Sequence, residues 1–264
     1  MKNSGFAKIG LALVAVVTIT QQSRAQLTVD DFSSGAYQKT LKSGSDNNFQ
    51  FGGMVGGSRA TTFVACSPAS KCAVVNPFGQ PSSFQIRPKT KTTPNVLIFN
   101  SGYKSEAFLA VGYGFSSPMS LDLSGSYDRI RVTFDGVDGA VNFNLTVWSN
   151  AGSVYSQLGC NFTDPSLQTA FTVDFPFAKF VPGGGSKGAD FSGITNMQFL
   201  FDGAQGASAG EDWAVTSLQA IRIGAPAGDI TCAGGLEADI KTKGVLLGFY
   251  RDAGGLVVSF MGTP

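Results

Sequence analysis

Apolar and polar residues alternate along most of the chain, in short runs bounded by Gly, Pro, Asn or Ser. This period of two is typical of β-strands that bury one face and turn the other to solvent. The clearest runs are Arg129–Phe134, Val141–Trp148, Thr169–Phe175, Met197–Asp202 and Thr216–Ile223. Earlier candidate strands are Leu27–Phe32, Ser82–Arg87, Asn95–Asn100 and Glu106–Tyr113. So many strands, without a convincing amphipathic helix, predict an all-β antiparallel β-sandwich.

Two connections stand out between these strands. Asp135–Gly139 joins two of the best runs and predicts a hairpin. The tetrapeptide Asp122-Leu-Ser-Gly precedes one strand, and Asp190-Phe-Ser-Gly precedes another. Asp and Ser side chains form hydrogen bonds with nearby backbone groups. We therefore interpret the similarity as two turns of the same type rather than as a repeat architecture.

The N-terminus has the three parts of a secretory signal peptide. Lys2 and Lys8 supply positive charge, Ile9–Ile19 is apolar, and Ser23-Arg24-Ala25 is a small-x-small cleavage site. The apolar part is shorter than the roughly 20 residues that a membrane-spanning helix needs. We therefore predict cleavage after Ala25, no membrane span, and a secreted, periplasmic or cell-surface protein.

Composition supports one domain from residue 26 to residue 224. The chain has 264 residues, with 34 Gly, 22 Phe and only 14% charged residues, which suits strands around an aromatic core. Without residues 1–25 it is close to neutral, and no cluster of Lys or Arg indicates a nucleic-acid partner. After Gly224, Ala225–Gly228 is typical of a linker. In the tail to residue 264, Gly244–Tyr250 and Gly255–Gly262 could pair as a hairpin or form an attachment segment.

Four cysteines fit an oxidising compartment and two disulfides. Cys66 and Cys72 are close enough in sequence to clip a hairpin tip, and Cys160 with Cys232 would tie the tail to the domain. The alternative, a zinc site, lacks the usual spacing and has no histidine ligand. The absence of His also excludes catalysis by a Ser-His-Asp or Cys-His nucleophile.

Several short motifs resemble galactose-binding-domain-like jelly rolls, a group that includes carbohydrate-binding modules and domains of the complex I intermediate-associated type. The motifs are an Asp-Asp-Phe opening strand at 30–32, the turns at 122–124 and 190–194, and a closing strand at 218–223. The resemblance covers about residues 27 to 224 and implies a jelly-roll sandwich that binds a glycan.

The same resemblance raises the question of a structural calcium. It implies acidic ligands near the first strand, where Asp30 and Asp31 lie, and a carboxylate in the last strand. The last strand has Gln219 and Ala220 there instead. With the ligand set incomplete, we expect no cofactor.

Trp148 is the most informative candidate for ligand binding. In Val141–Trp148 the apolar residues share one face, while Asn142, Asn144, Thr146 and Trp148 share the other. A ring beside amides and a hydroxyl is a surface on which a sugar can stack and form hydrogen bonds. The alternative is that Trp148 packs under a loop.

Other candidates surround this strand. Arg131, from the preceding strand, would add a polar group to the same face. Trp213 could rim the site or plug one end of the sandwich. Tyr103, Tyr113 and Tyr155 are further aromatic candidates.

These observations predict a secreted, non-catalytic module that binds a polysaccharide or other glycan on an exposed sheet face. One alternative is a structural surface protein that uses the sandwich only as a scaffold. Another is a glycosidase or lyase with paired carboxylates, for which Asp135 with Asp138 and Glu211 with Asp212 are the candidates.

Overall fold

Among the described residues, the regular secondary structure is almost entirely β-strand, apart from single 3₁₀ turns at Val55–Gly57, Asn150–Gly152 and Phe177–Lys179. The computed structural model describes residues 26–66, 76, 78–103, 105–138, 140–163, 170–183, 187–201, 212–233, 246–252 and 255–261. The predicted signal peptide and Cys72 lie outside these ranges. In chain order the strands are β1 Leu27–Asp30, β2 Tyr37–Leu41, β3 Gly44–Phe51, β4 Ser58–Ala65, β5 Ser82–Arg87, β6 Val96–Asn100, β7 Ala107–Tyr113, β8 Tyr127–Asp138, β9 Ala140–Ser149, β10 Val154–Thr163, β11 Phe171–Pro176, β12 Val181–Pro182, β13 Ile194–Phe201, β14 Asp212–Arg222, β15 Ile230–Thr231, β16 Leu246–Asp252 and β17 Gly255–Met261.

The strands form two stacked sheets. Sheet 1 has the order β15-β11-β8-β14-β6-β5-β2, with β1 also paired to β14, and sheet 2 has the order β12-β10-β9-β13-β7-β4-β3. Neighbouring strands are antiparallel except for the short pair β11 and β15. The predicted antiparallel β-sandwich of jelly-roll type is therefore confirmed. β16 and β17 pair only with each other among the described strands.

Phenylalanine rings join the two sheets in the core. Phe143 of sheet 2 lies with its ring centroid 4.8 Å from that of Phe175 in sheet 1. At the other side of the sandwich, Phe63 of sheet 2 is 5.2 Å from Phe84 of sheet 1. The strands bring these rings inward because every second residue faces the core, which explains the high Phe content.

One predicted connection is wrong. Asp135–Gly139 does not close a hairpin, because β8 ends in sheet 1 and β9 begins in sheet 2. β8 pairs instead with β11 and β14, and β9 pairs with β10 and β13. Alternation shows which residues face the core. A crossover between sheets and a hairpin within one sheet both preserve this alternation, so the sequence pattern does not distinguish them.

The two similar turns lie side by side and share their chemistry. Asp122 Oδ1 accepts hydrogen bonds from the backbone N and the hydroxyl of Ser124, and Asp190 Oδ1 does the same for Ser192. The backbone N of Leu123 donates to the carbonyl of Phe191, 2.8 Å away, which docks one turn on the other. The similarity of the two sequences thus reflects two turns with the same hydrogen bonds, as interpreted from the sequence.

Segment 225–232 is tied to the sandwich. Cys232 forms a disulfide with Cys160 of β10, and the backbone N of Cys232 donates to the carbonyl of Asp174. The segment that resembled a linker therefore crosses the edge of sheet 1. Within the described ranges, no helix is both long and apolar enough to cross a membrane.

Candidate functional site

The outer face of sheet 2 carries no charged side chain among the described residues. Since Val141, Phe143, Leu145 and Val147 point into the core, the residues between them point outward. The same alternation applies to the neighbouring strands. The outward residues on β10, β9 and β13 are Tyr155, Gln157, Gly159, Asn161, Asn142, Asn144, Thr146, Trp148, Asn196, Gln198 and Leu200. Amides and hydroxyls thus dominate the part of this face that β10, β9 and β13 form.

Strand register sets these groups in rows across the sheet. Thr146 lies between Gln157 of β10 and Gln198 of β13, and Gln198 lies opposite Gly112 of β7. One row further along β9, Asn144 lies opposite Leu200. Asn144 and Gln198 are therefore diagonal neighbours, with backbones about 7 Å apart.

Trp148 belongs to a row of three aromatic rings at one end of this face. The ring of Phe115 meets the ring of Trp148 edge-on at 5.7 Å between centroids, and Tyr155 lies 6.2 Å away on the other side. Close glycines make room for both neighbours. A Cβ atom on Gly112 would lie 2.6 Å from the Phe115 ring, and one on Gly183 would lie 1.8 Å from the Tyr155 ring.

Trp148 points away from the core, as predicted, but the prediction that it is exposed is wrong. Only 8% of its surface is accessible. The physical reason is the aromatic row, in which Phe115 arrives from the loop after β7 and Tyr155 from the paired strand β10. The alternative, in which Trp148 packs under a loop, is closer to the structure, because Phe115 comes from the loop after β7.

Two side-chain amides on this face are buried without partners. Asn144 is 7% exposed and Gln198 is 4% exposed. In the part of the chain that the structure describes, neither Nδ2 of Asn144 nor Nε2 of Gln198 has a hydrogen-bond partner. The Thr146 hydroxyl donates to Oδ1 of Asn144 at 2.9 Å and so orients that amide. A buried donor left unpaired costs about 1–3 kcal/mol of folding free energy. Both nitrogen atoms are enclosed by their neighbours, so a ligand oxygen cannot reach them in this structure.

Asn142 lies on the same face of β9, half-buried and in register with Asn161. The structure therefore brings together four predicted residues: Asn142, Asn144, Thr146 and Trp148. Their role in binding stays a prediction.

Arg131 does not join them. It lies on the outer face of sheet 1, where its guanidinium contacts both oxygens of Asp174 at 2.6 and 2.9 Å. Asp174 also faces Arg129 at 3.0 Å, and both arginines donate to the carbonyl of Pro226. Placing Arg131 beside Trp148 was wrong because it relied on the hairpin that the structure replaces with a crossover. Arg131 instead holds segment 225–229 against sheet 1.

Trp213 also lies elsewhere. It is the second residue of β14 and is 2% exposed, with its ring stacked on Phe201 at 4.2 Å and on Phe99 at 5.0 Å. Trp213 is therefore a plug inside the sandwich, one of the two interpretations of its sequence, and it does not lie at the rim of the site. Tyr113 is likewise in the core, whereas the exposed Tyr103 stacks on Phe78.

Asp30 serves an internal ion pair. Its carboxylate accepts hydrogen bonds from Arg59 Nη1 at 2.5 Å and from the Tyr113 hydroxyl at 2.8 Å, and all three side chains are buried. Burial, followed by the negative charge of Asp30, raises the pKa of Tyr113 well above its usual value. Asp31 is exposed and accepts from the backbone N of Ser33. The two carboxylates thus serve different local contacts, which does not fit a shared calcium site.

The cysteine prediction is confirmed for one pair. Cys160 and Cys232 are bonded, with Cα atoms 5.4 Å apart. Cys66 is also in a disulfide. Because Cys72 lies outside the described residues, the predicted Cys66–Cys72 pairing stays a prediction.

Three of the candidate carboxylates, those of Asp135, Asp138 and Asp212, lie on sheet 1, away from the aromatic row. Asp212 and Asp138 are opposite each other on β14 and β8. Burial, and then the charge of Asp138, raises the pKa of Asp212. Asp135 points outward on β8, and Glu211 lies outside the described residues.

Sequence reasoning missed Gln198, Gln157 and Phe115. Gln198 stands at an outward position of a recognised strand, so its direction was predictable. Its place beside β9 was not, because that depends on which strands pair.

Comparison with protein-family profiles gives no match, and comparison with curated proteins gives none either. Among solved structures, the chain is similar to the family 11 carbohydrate-binding module of a cellulosomal cellulase of Clostridium thermocellum, at 11% identity, with 75% of this chain and 95% of that chain covered and a TM-score of 0.38. A family 11 module from the same organism, in complex with a β-1,3-1,4-mixed-linked tetrasaccharide, matches at 9% identity, with 74% and 95% covered and a TM-score of 0.36.

An exo-β-agarase also matches, at 12% identity, with 77% of this chain but 25% of that chain covered and a TM-score of 0.37. Carbohydrate-binding modules, the group that the sequence motifs resemble, are thus found among the structural neighbours. At such low identity, the chemistry of the site rests on its own side chains.

Proposed function

We propose that the protein is a secreted, non-catalytic carbohydrate-binding module that binds a neutral polysaccharide on the outer face of sheet 2. The observation that carries the proposal is an uncharged sheet face on which the accessible amides of Asn142 and Asn161 lie on the same two strands as the rings of Trp148 and Tyr155.

Sugars have the chemistry that suits such a face. Their hydroxyls accept and donate hydrogen bonds, which matches the accessible amides of Asn142 and Asn161, and their C–H groups pack on a ring such as that of the half-buried Tyr155. An acidic polymer would fit poorly, because its carboxylates would lose water without gaining a cationic partner.

The chemistry of the face supports a binding role rather than catalysis. Glycoside hydrolysis generally needs two carboxyl groups across the scissile bond. The outward residues of sheet 2 that the structure describes include no carboxylate. Export is supported by the signal-peptide pattern of residues 1–25 and by the Cys160–Cys232 disulfide, since disulfides persist in oxidising compartments.

The two tryptophans allow a direct test. Trp148 lies on the proposed face and Trp213 lies in the core, so ligand should change the emission of Trp148 alone. The secreted protein would be titrated with β-1,3-1,4-mixed-linked glucan and with agarose oligosaccharides, and with polygalacturonate as the acidic comparison. We expect an emission change and gel retardation with a neutral glycan only.

Trp148→Phe is the matched variant, because it keeps a ring in place but removes the reporter. It should lose the emission change while still being retarded in affinity gels. The proposal fails if no neutral glycan retards the wild-type protein, if polygalacturonate retards it equally, or if the emission change persists in Trp148→Phe.

A further inference from the structure

Two stacked aromatic rings lie exposed on loops at one end of sheet 1. Phe78, just before β5, is 57% exposed, and Tyr103, just after β6, is 62% exposed. Their planes differ by only 24° and their centroids are 5.8 Å apart, which is the geometry of offset stacking. Single exposed apolar side chains are ordinary on a protein surface. A stacked pair that leaves more than half of each side chain accessible offers a larger, flat apolar surface.

A buried amide fixes the loop that carries Phe78. Asn76 is 6% exposed, and its Nδ2 donates to the carbonyls of Lys42 and Gln80 at 3.1 and 2.9 Å. Its Oδ1 accepts from the backbone N of Gln80, and its own carbonyl accepts from the backbone N of Gly79. Phe78 therefore lies inside a turn that is closed by hydrogen bonds on both sides.

A second set of contacts fixes the loop that carries Tyr103. The buried hydroxyl of Ser82 accepts from the backbone N of Gly102 at 3.0 Å and donates to the hydroxyl of Ser105 at 3.2 Å. A Cβ atom on Gly102 would lie 2.8 Å from Cβ of Gln80, so the two loops pack directly against each other. Both rings are thus held in place before any ligand arrives, which lowers the entropic cost of binding.

The size of the pair favours a small ligand over a protein partner. A stable protein interface buries about 800 Å² on each side. Two aromatic side chains bury at most about 300–500 Å² together. One sugar residue matches this smaller area, because its C–H face packs flat on a ring. The amide of the exposed Gln80, beside Gly102, lies close enough to Tyr103 along the chain to bond with the sugar hydroxyls.

The pair lies far from the aromatic row of sheet 2. Ser105, which anchors the Tyr103 loop, comes just before β7, and Phe115 of the aromatic row comes just after it. A strand of 7 residues spans about 20 Å. The two aromatic surfaces are therefore separate and lie at opposite ends of β7.

We infer that Phe78 and Tyr103 form a second carbohydrate-binding site, in which the exposed rings stack on the C–H face of one sugar residue of a glycan. The site shares no residue with the outer face of sheet 2, so the inference goes beyond the proposed function and does not depend on it. Where both sites bind, a long glycan is held at two points, and its affinity exceeds that of either site alone.

Aromatic ¹³C–¹H NMR spectra of the secreted protein report on each site separately. The probes are the β-1,3-1,4-mixed-linked tetrasaccharide and agarose oligosaccharides. We expect one of them to shift the ring signals of Phe78 and Tyr103 with a dissociation constant on the order of 1 mM, the scale for one sugar residue. The indole signals of Trp148 report on sheet 2. A shift at Tyr103 without one at Trp148 would support this inference and overturn the proposed function, and the reverse result would overturn this inference alone.

The double variant Phe78→Ala, Tyr103→Ala removes the ring pair. Because both side chains are exposed, its melting temperature should stay close to that of the wild-type protein. Its retention in gels of the polymeric glycan should fall at least about tenfold, since the second point of attachment is lost. Ile223→Ala is the matched control: it shortens an apolar side chain that is 59% exposed beyond the far end of β14, and retention should not change.

Three results would overturn the inference. Neither oligosaccharide shifts the signals of Phe78 and Tyr103, or the double variant is retained as strongly as the wild-type protein. In the third, the ring signals shift with protein concentration and not with glycan, which would make the pair a contact between copies of this chain.

Discussion

The ring of Phe115 occupies the space directly above the backbone of Gly112, where a Cβ atom would lie 2.6 Å from the ring. Gly112→Ala should therefore displace Phe115 and remove its edge-on contact with Trp148. We expect a loss of about 1–3 kcal/mol in the free energy of unfolding, typical of overpacking, together with a shift in Trp148 emission. Urea unfolding followed by fluorescence measures both.

Gly136→Ala is the control, because an added Cβ atom on Gly136 meets nothing within 4 Å. It should leave both quantities close to those of the wild-type protein. Equal effects of the two substitutions would show that the Gly112 contact does not hold the aromatic row in place.

The buried pair of Asp30 and Arg59 gives a second prediction. Asp30→Asn leaves the Arg59 guanidinium buried without its counter-charge, which should cost about 3–5 kcal/mol of unfolding free energy. Asp31→Asn changes an exposed carboxylate and should stay within about 0.5 kcal/mol of the wild-type value. Urea titration of both variants checks this, and a small, equal loss for both would contradict it.

The Cys160–Cys232 disulfide gives a third prediction. It joins residues 72 positions apart, and closing a loop of that length should stabilise the protein by about 4 kcal/mol through the unfolded chain. The Cys160→Ser, Cys232→Ser double variant should lose about this much in urea unfolding without reductant. An unchanged midpoint would show that the link adds nothing to the sandwich.

The raised pKa of Asp212 gives a fourth prediction. In the unfolded chain the pKa of the Asp212 carboxyl group is near 3.8, so the folded protein keeps this group protonated to a higher pH. The contribution of Asp212 to stability therefore falls as the pH rises from about 3.8 through its folded pKa. Asp212→Asn cannot ionise, so its stability relative to the wild-type protein should increase across that range. Urea midpoints measured from acid to neutral pH test it.

Asp122→Asn should show the opposite sign. Hydrogen bonds from Ser124 hold the pKa of Asp122 below its usual value, so its charged form supports folding above that range. The variant should lose stability relative to the wild-type protein as the pH rises. A shared sign for the two variants would contradict both assignments.

The sequence predicted the direction of side chains better than their neighbours. In β9, alternation correctly placed Val147 inward and Trp148 outward. It could not place Arg131, since the crossover from β8 to β9 puts the two residues on different sheets. Strand pairing depends on contacts between distant segments, which a local period of two does not encode.

Polar residues inside the core also concealed some strands. β4 contains Arg59 and Thr61 at inward positions, so its pattern is not a clean alternation, although the whole strand is buried. The burial of Trp148 was unpredictable for a related reason. The ring that covers it belongs to Phe115, more than 30 positions earlier in the chain.

The disulfide between Cys160 and Cys232 also determines how the sandwich carries mechanical load. A pull applied to the chain beyond Cys232 enters the protein at that residue and passes through the sulfur bridge into β10. The segment from Asn161 to Thr231, which includes β11, β13 and β14, lies outside this covalent path. Tension on the tail therefore bypasses β13, and a pull on the tail does not peel that side of the proposed binding face away.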